Sequence, residues 1–318
     1  MNRLLVAAAP PTYIYSVSNL SPAATAALLP YPALAQELLR LLCDPQVRVP
    51  PRLVLPLAGG ASLFVMPASD QRVAMTKLIS YTPANAGSER PTIQGDVVVF
   101  DIASGERRLI LHGPTVTARR TAAVSLLAAQ WLASNRDGPL LVVGAGVQGR
   151  AHLEAFAAGL GIRQVVIASR SAASATALQR HAQDLGLDAR VSANPDAELA
   201  HCPLVVTCTP ADAVVLRALP RADAFLAAVG AFTPLMVELD RAICRHVAAN
   251  GSVVLDTPEA VHEAGDLLQA GLDPGGYTTL REVLRENAAK TRPLVLFKSC
   301  GWAGWDLAAA RLALSLSA

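Results

Sequence analysis

The chain has 318 residues, of which 52% are hydrophobic and only 16% are charged, and its formal net charge is +2. So small a net charge offers no basic surface for nucleic acid, and no stretch approaches the roughly 20 apolar residues that a membrane helix needs. The five cysteines are scattered without a CxxC pair, which is typical of a reduced cytoplasmic protein without a disulfide or metal framework. The length suits two domains, and the high apolar content indicates a large core with a buried subunit interface.

The first 117 residues do not alternate strands with helices, as a doubly wound domain would. Leucines at helical spacing predict a helix over Pro32–Leu42. Extended segments follow it, and turn residues such as Gly59-Gly60 and Ser104-Gly105 separate them. These segments are Arg52–Leu57, Ser62–Pro67, Val73–Ser80, Gly95–Asp101 and Arg107–His112. We therefore predict a mostly antiparallel α+β unit, which an alanine-rich helix over Ala118–Leu132 joins to the rest of the chain.

A glycine-rich turn lies between two short apolar runs, Leu140–Val143 and Val165–Ile167. Its sequence is Gly144-Ala145-Gly146-Val147-Gln148-Gly149. A GxGxxG motif that leaves a strand, opens a helix and is followed by another strand is typical of a dinucleotide-binding unit. Gly144 permits the tight turn, Gly146 lets the backbone approach a pyrophosphate, and Gly149 lets the helix pack closely on the strand. The N-terminus of that helix offers free N–H groups and partial positive charge to the phosphates.

The end of the second apolar run bears on which dinucleotide binds. An acidic residue at this point accepts hydrogen bonds from the adenosine ribose and favours NAD. This chain has Ser169-Arg170-Ser171 instead, where the guanidinium can pair with a 2′-phosphate and the two hydroxyl groups can donate to it. No carboxylate is expected there to repel the phosphate. The predicted cofactor is therefore NADP(H), with NAD(H) as the alternative.

Beyond residue 140, strands alternate with helices, which is the pattern of a parallel α/β sheet. The further predicted strands are Ala189–Ser192, Leu204–Cys208, Ala224–Val229, Val253–Asp256 and Leu294–Lys298. The last helix, Trp302–Leu316, is too apolar to stand alone, and we expect it to fold back onto the first unit. The predicted fold class is α/β: a Rossmann-type doubly wound parallel sheet over residues 118–299, beside an α+β domain formed by residues 1–117 with 300–318.

Four polar groups lie where a substrate could meet a nicotinamide ring. Arg52 precedes an extended run. Lys77 stands inside the apolar run Ala74–Ile79, so that it either points outward from an edge or is held inward by an anion. The adjacent Arg119-Arg120 point to different faces of one helix, so at most one of them faces the site. The fourth group is Phe297–Gly301, where a strand ends.

The chain resembles the ornithine cyclodeaminase/mu-crystallin family over nearly its whole length. The order and spacing of several short stretches together carry this resemblance. They are Phe64–Ala68, Lys77 with its apolar flanks, Pro91-Thr92, Leu111–Gly113, Thr117–Ala123, Gly144–Gln148, Ala228–Ala231, Glu238–Asp240, Glu263–Asp266 and Phe297–Gly301. The resemblance implies a two-domain homodimer, in which the first domain with the terminal helix forms the dimerisation and substrate module and the middle of the chain binds the dinucleotide.

The same resemblance implies a binding site for a substrate carboxylate. Arg52, Lys77 and Arg120 would hold that carboxylate, and positive charges grouped around one anion also suit the unusual setting of the lysine. Lys77, acting through a water, is the candidate catalytic residue that supplies a proton, and a substrate that arrives already protonated at acidic to neutral pH needs no dedicated acid. Phe232 and Cys300 complete the predicted substrate side of the site.

The resemblance also implies which residues contact the dinucleotide. They are Thr92, Arg120, Gly144, Gly146, Val147, Gln148, Gly149, Ser169, Arg170, Ser171, Thr209, Val229 and Ser299. Thr209 follows a predicted strand, so we expect it at the carboxyl edge of the sheet, where cofactors bind. Glu238 and Asp240 look catalytic in isolation, but we expect them to pair and to cap the helix over Arg241–Val247.

One departure from the family separates its branches. The cyclodeaminases that the chain resembles carry a catalytic aspartate two residues after the Val-Gly pair that ends a strand. In this chain Val229-Gly230 is followed by Ala231-Phe232. Phenylalanine can neither steer the amino group of ornithine nor move a proton, and the segment is closer to that of mu-crystallin-like reductases.

The resulting hypothesis is the NAD(P)H-dependent reduction of a cyclic ketimine carboxylate. The candidate substrates are Δ1-pyrroline-2-carboxylate and Δ1-piperideine-2-carboxylate, which would give L-proline and L-pipecolate. The cofactor supplies the hydride, the protein supplies orientation and charge, and an apolar wall that includes Phe232 suits the ring methylenes. The alternatives are an alanine-dehydrogenase-like oxidation, ornithine cyclodeamination and, without catalysis, mu-crystallin-like binding of NADPH or a small hormone-like ligand.

Overall fold

The structure is a computed structural model that describes residues 18–85, 88–285 and 291–317. Two β-sheets organise these residues. Residues 1–17 and 318, which the sequence assigns to the first domain, lie outside the described part of the chain. None of the helices within the described ranges is both long enough and apolar enough to cross a bilayer.

The first sheet is a six-stranded, mainly antiparallel meander. Its strands are β1 (Ser18–Asn19), β2 (Leu53–Pro56), β3 (Ser62–Ser69), β4 (Val73–Tyr81), β5 (Ile93–Asp101) and β6 (Arg107–His112). Their spatial order is β1-β6-β5-β4-β3-β2, and only β1 pairs in parallel. β5 begins at Ile93 rather than at the predicted Gly95, because its pairing with β4 continues until Ile93 lies opposite Tyr81. The strand β1 is too short for apolar alternation to predict it.

The second sheet contains eight parallel strands. They are β7 (Leu140–Val143), β8 (Gln164–Ala168), β9 (Asp188–Val191), β10 (Leu204–Thr207), β11 (Phe225–Ala228), β12 (Ser252–Leu255), β13 (Thr278–Thr279) and β14 (Val295–Lys298). Their spatial order is β13-β12-β14-β11-β10-β7-β8-β9. The central strands are buried along their whole length, because helices cover both faces of a parallel sheet. The predicted doubly wound parallel sheet is confirmed.

Ten helices complete the described part of the chain. They are α1 (Pro22–Ala27), α2 (Tyr31–Cys43), α3 (Gly113–Leu132), α4 (Val147–Leu160), α5 (Ala172–Asp184), α6 (Pro195–Glu198), α7 (Arg241–Asn250), α8 (Gly265–Gln269), α9 (Leu280–Arg285) and α10 (Ala303–Leu316). The bridging helix α3 begins at Gly113 rather than at the predicted Ala118. The His112 imidazole accepts a hydrogen bond from the N–H of Thr115, and Pro114 occupies the first turn, so both residues favour this earlier start.

The last helix, α10, packs against α2 and against β3 and β4 of the first sheet. Arg311 ties it there through ion pairs with Glu37, Asp44 and Asp70, at 2.7, 3.1 and 3.3 Å. Most of its side chains are buried, as its apolar composition requires. The few polar residues of this helix therefore lie against the first sheet.

Helix α3 connects the two sheets. It contacts β5 of the first sheet and β14 of the second, and most of its side chains are buried. Its residue Arg120 lies beside Gly301, just beyond the carboxyl end of β14, where the functional site is expected. The division of the chain into two domains at residues 117 and 299 stays a prediction.

Candidate functional site

A cleft of about 860 Å³ lies at the carboxyl ends of β7, β8 and β10. The segment that follows each of these strands lines the cleft: residues 144–148 after β7, which include the start of α4, residues 169–171 after β8 and residues 208–210 after β10. The strand order reverses between β7 and β10. A crevice at such a switch point is the usual place for a nucleotide in an open α/β sheet.

The glycine-rich turn after β7 packs closely on neighbouring backbone and leaves the N-terminus of α4 uncapped. Gly144 has φ +115°, which favours glycine, and a Cβ atom there would lie 2.7 Å from the carbonyl oxygen of Cys208. A Cβ atom on Gly149 would collide with the carbonyl oxygen of Gly144. Gly146 is the N-cap residue of α4, and among the described residues no side chain caps this helix. The first N–H groups of α4 are therefore available to an anion such as a pyrophosphate.

The loop after β8 presents Ser169, Arg170 and Ser171 to the cleft. The side chain of Arg170 is 71% exposed, and its Nη1 atom donates a hydrogen bond to Oδ2 of Asp212 at 3.2 Å. Asp212 lies in the segment after β10 and lines the same cleft. The prediction that no carboxylate stands beside Arg170 is wrong, because the fold brings Asp212 to it from another loop.

Part of the set that the resemblance implies for the dinucleotide lines this cleft. Those residues are Gly144, Gly146, Val147, Gln148, Ser169, Arg170, Ser171 and Thr209. Gly149 lies behind the turn, and Val229 is buried just beyond β11. Thr92 is partly exposed in the segment before β5 of the first sheet. Arg120 belongs to a second polar group, and Ser299 lies in the segment after β14.

The buried carboxylate of Glu238 fixes the loop after β10. Its Oε1 atom accepts hydrogen bonds from the N–H and the hydroxyl group of Thr209, at 2.7 and 2.8 Å. Its Oε2 atom accepts from the hydroxyl group of Thr207 at 2.9 Å and from the N–H of Gly230 at 2.8 Å. Burial raises the pKa of Glu238. Asp240 caps α7 by accepting from the first turn of that helix, so both acids serve the structure, as the sequence predicts.

The second polar group lies between β4, α3 and α10. On β4, Lys77 shares the buried face of the strand with Val73, Met75 and Ile79, and only 3% of it is exposed. Its Nζ atom donates a hydrogen bond to Oδ1 of Asp306 at 3.1 Å. Of the two orientations that the sequence left open, the structure shows the inward one, in which an anion holds the lysine.

Arg120 joins this group from α3. Its Nε atom lies 3.4 Å from the same Oδ1 atom of Asp306. Arg119 turns away and places its guanidinium 3.9 Å from the ring centroid of Tyr31, so only one of the two arginines faces the group. Among the described residues, the Nε atom of Arg120 and the Oδ2 atom of Asp306 are buried without a hydrogen-bond partner. The group therefore has hydrogen-bonding capacity that the described residues leave unused.

The environment of Lys77 lowers the pKa of its ammonium group toward neutral pH. Burial lowers the pKa of Lys77 to about 8; the neighbouring Arg120 also lowers it, while Asp306 opposes the change. The side chain is therefore an ammonium ion at neutral pH but gives up its proton far more readily than an exposed lysine.

Sequence reasoning misses Asp306. It stands in the first turn of α10, where an acidic residue often does no more than complement the helix dipole. The structure buries it completely. Asp306 is the one acid of a helix that is apolar apart from Arg311 and Ser315, and this signal could have pointed to it, because a buried carboxylate needs a partner.

Arg52 is engaged with a different carboxylate. Its guanidinium forms an ion pair with Glu263, which lies between β12 and α8. The side chain of Arg52 is 37% exposed and that of Glu263 is 18% exposed. Burial raises the pKa of Glu263, and Arg52 opposes that shift. The structure thus brings Lys77 and Arg120 together through Asp306 but pairs Arg52 separately.

The segment after β14 links this group to the parallel sheet. Asp256, buried just beyond β12, accepts hydrogen bonds from the Ser299 hydroxyl and from the N–H groups of Cys300 and Gly301, at 2.8, 3.1 and 2.9 Å. A Cβ atom on Gly301 would lie 3.3 Å from both terminal nitrogens of Arg120. A glycine at this position therefore allows the segment to approach the arginine, and Ser299 is fixed by Asp256.

Phe232 and Cys300 add uncharged surface to this edge of the sheet. Phe232 is 50% exposed. Cys300 is half-buried, with its Sγ atom 4.0 Å from the carbonyl oxygen of Ala231. Burial raises the pKa of the Cys300 thiol, so it stays protonated and unreactive.

Comparison with known proteins identifies the family to which this architecture belongs. Residues 31–314 match the model of the ornithine cyclodeaminase/mu-crystallin family. The chain belongs to this family. Delta(1)-pyrroline-2-carboxylate reductase 2 of Burkholderia ambifaria is 39% identical to it over 92% of this chain and 93% of the relative. The Delta(1)-pyrroline-2-carboxylate/Delta(1)-piperideine-2-carboxylate reductase of Azospirillum brasilense is 40% identical over 91% of this chain and 92% of the relative.

Solved structures share the fold of this ornithine cyclodeaminase/mu-crystallin family member. Thermococcus litoralis Delta(1)-pyrroline-2-carboxylate reductase, in complex with NADH and L-proline, has a TM-score of 0.79 and 21% identity, covering 94% of this chain and 96% of that one. An archaeal alanine dehydrogenase dimer with bound NAD has a TM-score of 0.82 and 21% identity, covering 95% and 97%. The predicted fold class is confirmed by these similarities.

Proposed function

We propose that this chain is an NAD(P)H-dependent reductase that converts a cyclic ketimine carboxylate into an L-imino acid. The substrates are Δ1-pyrroline-2-carboxylate or Δ1-piperideine-2-carboxylate, and the products are L-proline or L-pipecolate. The observation that carries the proposal is an identity of 39 and 40%, over 92 and 91% of the chain, to reductases named for one or both of these substrates. Phe232 at the position of the cyclodeaminase acid supports the same branch.

The cleft beside β7 fits a nicotinamide dinucleotide. Gly144 and Gly149 let the turn and α4 pack closely on neighbouring backbone, a Cβ atom on Gly146 would meet only open space, and the uncapped N-terminus of α4 suits a pyrophosphate. The Oε1 atom of Gln148 is buried without a partner among the described residues, so it has capacity for a ligand donor. When bound, the cofactor supplies the hydride that reduces the C=N bond at C2.

Lys77 and Arg120 hold the substrate carboxylate in this proposal. Both side chains are buried and share the single carboxylate of Asp306, so the three residues keep one net positive charge for a monoanionic ligand. Arg52 joins them by exchanging Glu263 for the substrate. Arg52 is the more exposed partner of that ion pair, which leaves its guanidinium accessible to the substrate.

Lys77 also donates the proton that the imine nitrogen needs, directly or through a water. Its pKa of about 8 keeps it protonated at neutral pH and close enough to neutrality for transfer. Phe232 offers an apolar surface to the ring methylenes. The Cys300 thiol, whose pKa burial raises, takes no part in proton transfer.

Oxidation of NADPH and NADH in the presence of the five-membered and the six-membered cyclic imine tests this function. We expect turnover of at least one imine, with the L-imino acid as the product on chiral chromatography. Tight NADPH binding without turnover of either imine would contradict the proposed reductase activity and would support the alternative of a non-catalytic binding protein. Release of ammonia from ornithine without reduction of an imine would point to a cyclodeaminase.

NADP(H) is the preferred cofactor in this proposal, because Arg170 lines the cleft with two hydroxyl groups beside it. Arg170→Asp should weaken NADPH binding by roughly tenfold to a hundredfold, since a charge-assisted phosphate contact is lost, while NADH binding changes far less. Fluorescence titration with each dinucleotide measures this difference. Arg180→Asp, at an exposed position of α5 outside the cleft, is the matched control. Equal losses for both dinucleotides would overturn the preference.

The assembly proposed is a homodimer formed through the first sheet, with residues 1–117 and 300–318 as one domain and 118–299 as the other. The first sheet exposes a set of large apolar side chains, which a second copy would cover. They are Leu53, Val54, Leu55, Leu57, Leu78, Tyr81 and Ile93.

Sedimentation at micromolar concentration should therefore show a dimer. Leu53→Glu, which places a charge on this surface, is expected to shift the protein toward the monomer, because a buried unpaired carboxylate opposes association. Leu235→Glu changes an 89% exposed leucine outside the sheet and should leave the dimer intact. A stable wild-type monomer at this concentration would contradict the assembly.

A further inference from the structure

Three charged residues occur among the described residues that line the cleft: Arg170, Arg217 and Asp212. Asp212 is therefore the one carboxylate of that lining. NAD-binding folds place an acid at the end of the strand equivalent to β8, where this chain has Ser169-Arg170-Ser171. The acid of this cleft instead comes from the other side of β7, from the segment after β10.

The backbone before Asp212 is held in a defined conformation. Thr209 is fixed by two hydrogen bonds to Glu238, and its hydroxyl group accepts a hydrogen bond from the N–H of Ala211 at 3.2 Å. Ala211 is buried and has φ +59°, a conformation that alanine adopts only where its surroundings impose it. Its carbonyl oxygen accepts from the N–H of Val237 at 3.0 Å. These contacts direct the next residue, Asp212, toward Arg170.

The ion pair between Arg170 and Asp212 is open to exchange. Nη1 of Arg170 lies 3.2 Å from Oδ2 of Asp212, and the two side chains are 71 and 60% exposed. Exposed pairs of this kind add little to stability, so a ligand displaces either partner readily. A 2′-phosphate held by Arg170 would lie beside the carboxylate, and the like charges would repel. A ribose 2′-hydroxyl would instead donate a hydrogen bond to that carboxylate.

We propose that Asp212 is a specificity-determining residue that sets the balance between NADH and NADPH. Its carboxylate accepts a hydrogen bond from the free 2′-hydroxyl of NADH and repels the 2′-phosphate of NADPH. Arg170 instead attracts the 2′-phosphate and so favours NADPH. The wild-type protein uses both dinucleotides, and NADPH keeps its advantage because Arg217 adds a second cation to the cleft. This inference rests on the proposed binding of a nicotinamide dinucleotide, but it does not depend on which imine is reduced.

Asp212→Asn removes the charge and keeps the shape of the side chain. Direct fluorescence titration should show NADPH binding about threefold to tenfold tighter, because one like-charge repulsion is gone. NADH should bind roughly tenfold more weakly, because its hydroxyl loses a charged acceptor. Competition with 2′,5′-ADP and with ADP should follow the same pattern without the nicotinamide ring. Asp184→Asn, at an exposed position outside the cleft, should change neither affinity.

Two results would overturn the role of Asp212. Equal shifts for both dinucleotides would show that Asp212 only supports the loop, and unchanged affinities would show that the carboxylate faces neither ligand. Failure of the proposed function looks different, because then neither dinucleotide binds the wild-type protein, and both proposals fall. If the wild-type protein turns over neither imine, but Asp212→Asn still changes the ratio of NADPH to NADH affinity, the role of Asp212 stands and only the proposed substrate is rejected.

Discussion

Lys77→Met is expected to lower kcat/KM for the cyclic imine by at least roughly tenfold to a hundredfold, because the substrate carboxylate loses a charge-assisted hydrogen bond. Methionine keeps most of the length of the apolar stem while removing the charge. The affinity for NADPH should stay nearly unchanged, since Lys77 does not line the cleft after β7. Steady-state kinetics with the imine and a separate titration with NADPH measure the two effects.

The matched control is Arg108→Met, which removes a cation from an exposed position of β6 in the same sheet and should change neither quantity. Thermal unfolding distinguishes loss of binding from loss of the fold. The fold should persist in Lys77→Met, because Asp306 keeps Arg120 as a partner. Wild-type kinetics in this variant would exclude Lys77 from the site and would also count against Arg52 and Arg120, whose roles rest on the same resemblance.

In the reductive direction, kcat/KM should fall about tenfold for each pH unit above the pKa of the required ammonium group. Burial lowers the pKa of Lys77 to about 8, so the fall should begin there. Below that pH the ammonium form predominates and can both bind the carboxylate and donate a proton. In the oxidation of L-proline or L-pipecolate the neutral amine accepts the proton, so kcat should rise through the same range, while KM also rises because the amine no longer carries a charge for the carboxylate. A pH–rate profile in both directions measures the opposite signs.

Asp306→Asn tests whether Lys77 causes this pH dependence. The charged groups that face Lys77 are Asp306 from α10, which raises its pKa, and Arg120 from α3, which lowers it. Removal of the carboxylate should therefore move the fall in rate to lower pH. Asp44→Asn, which removes a partner of Arg311 on the same helix, is the control for displacement of α10 and should leave the profile in place. An unmoved profile in Asp306→Asn would assign the pH dependence to another group.

Local sequence patterns predict most of the fold. The glycine-rich turn between two apolar runs predicts β7, α4 and β8, because the backbone conformation of Gly144 and the close packing at Gly149 depend on adjacent residues. The setting of Lys77 is also local. It lies in phase with Met75 and Ile79 on an alternating strand, which limits it to two orientations.

The partners of these residues are not local, and periodicity carries no information about them. Lys77 and Asp306 are 229 residues apart in the chain, and Arg170 and Asp212 are 42 residues apart. The first pair depends on how α10 returns to the first sheet, and the second depends on the order of β8, β7 and β10 in the other sheet. The ion pairs at both sites can therefore be identified only from the assembled sheets and not from the local sequence.

The ion pair between Lys77 and Asp306 also joins segments that a ribosome makes far apart in time. β4 emerges early, and every strand of the parallel sheet is synthesised before Asp306 appears. Until then, the lysine has no counter-charge and the face of the first sheet that α10 covers stays open to solvent. Such uncovered apolar surface makes a nascent chain prone to aggregation and a target for chaperones. We therefore expect the emergence of α10, rather than of the glycine-rich turn, to decide when competent protein first forms in the cell.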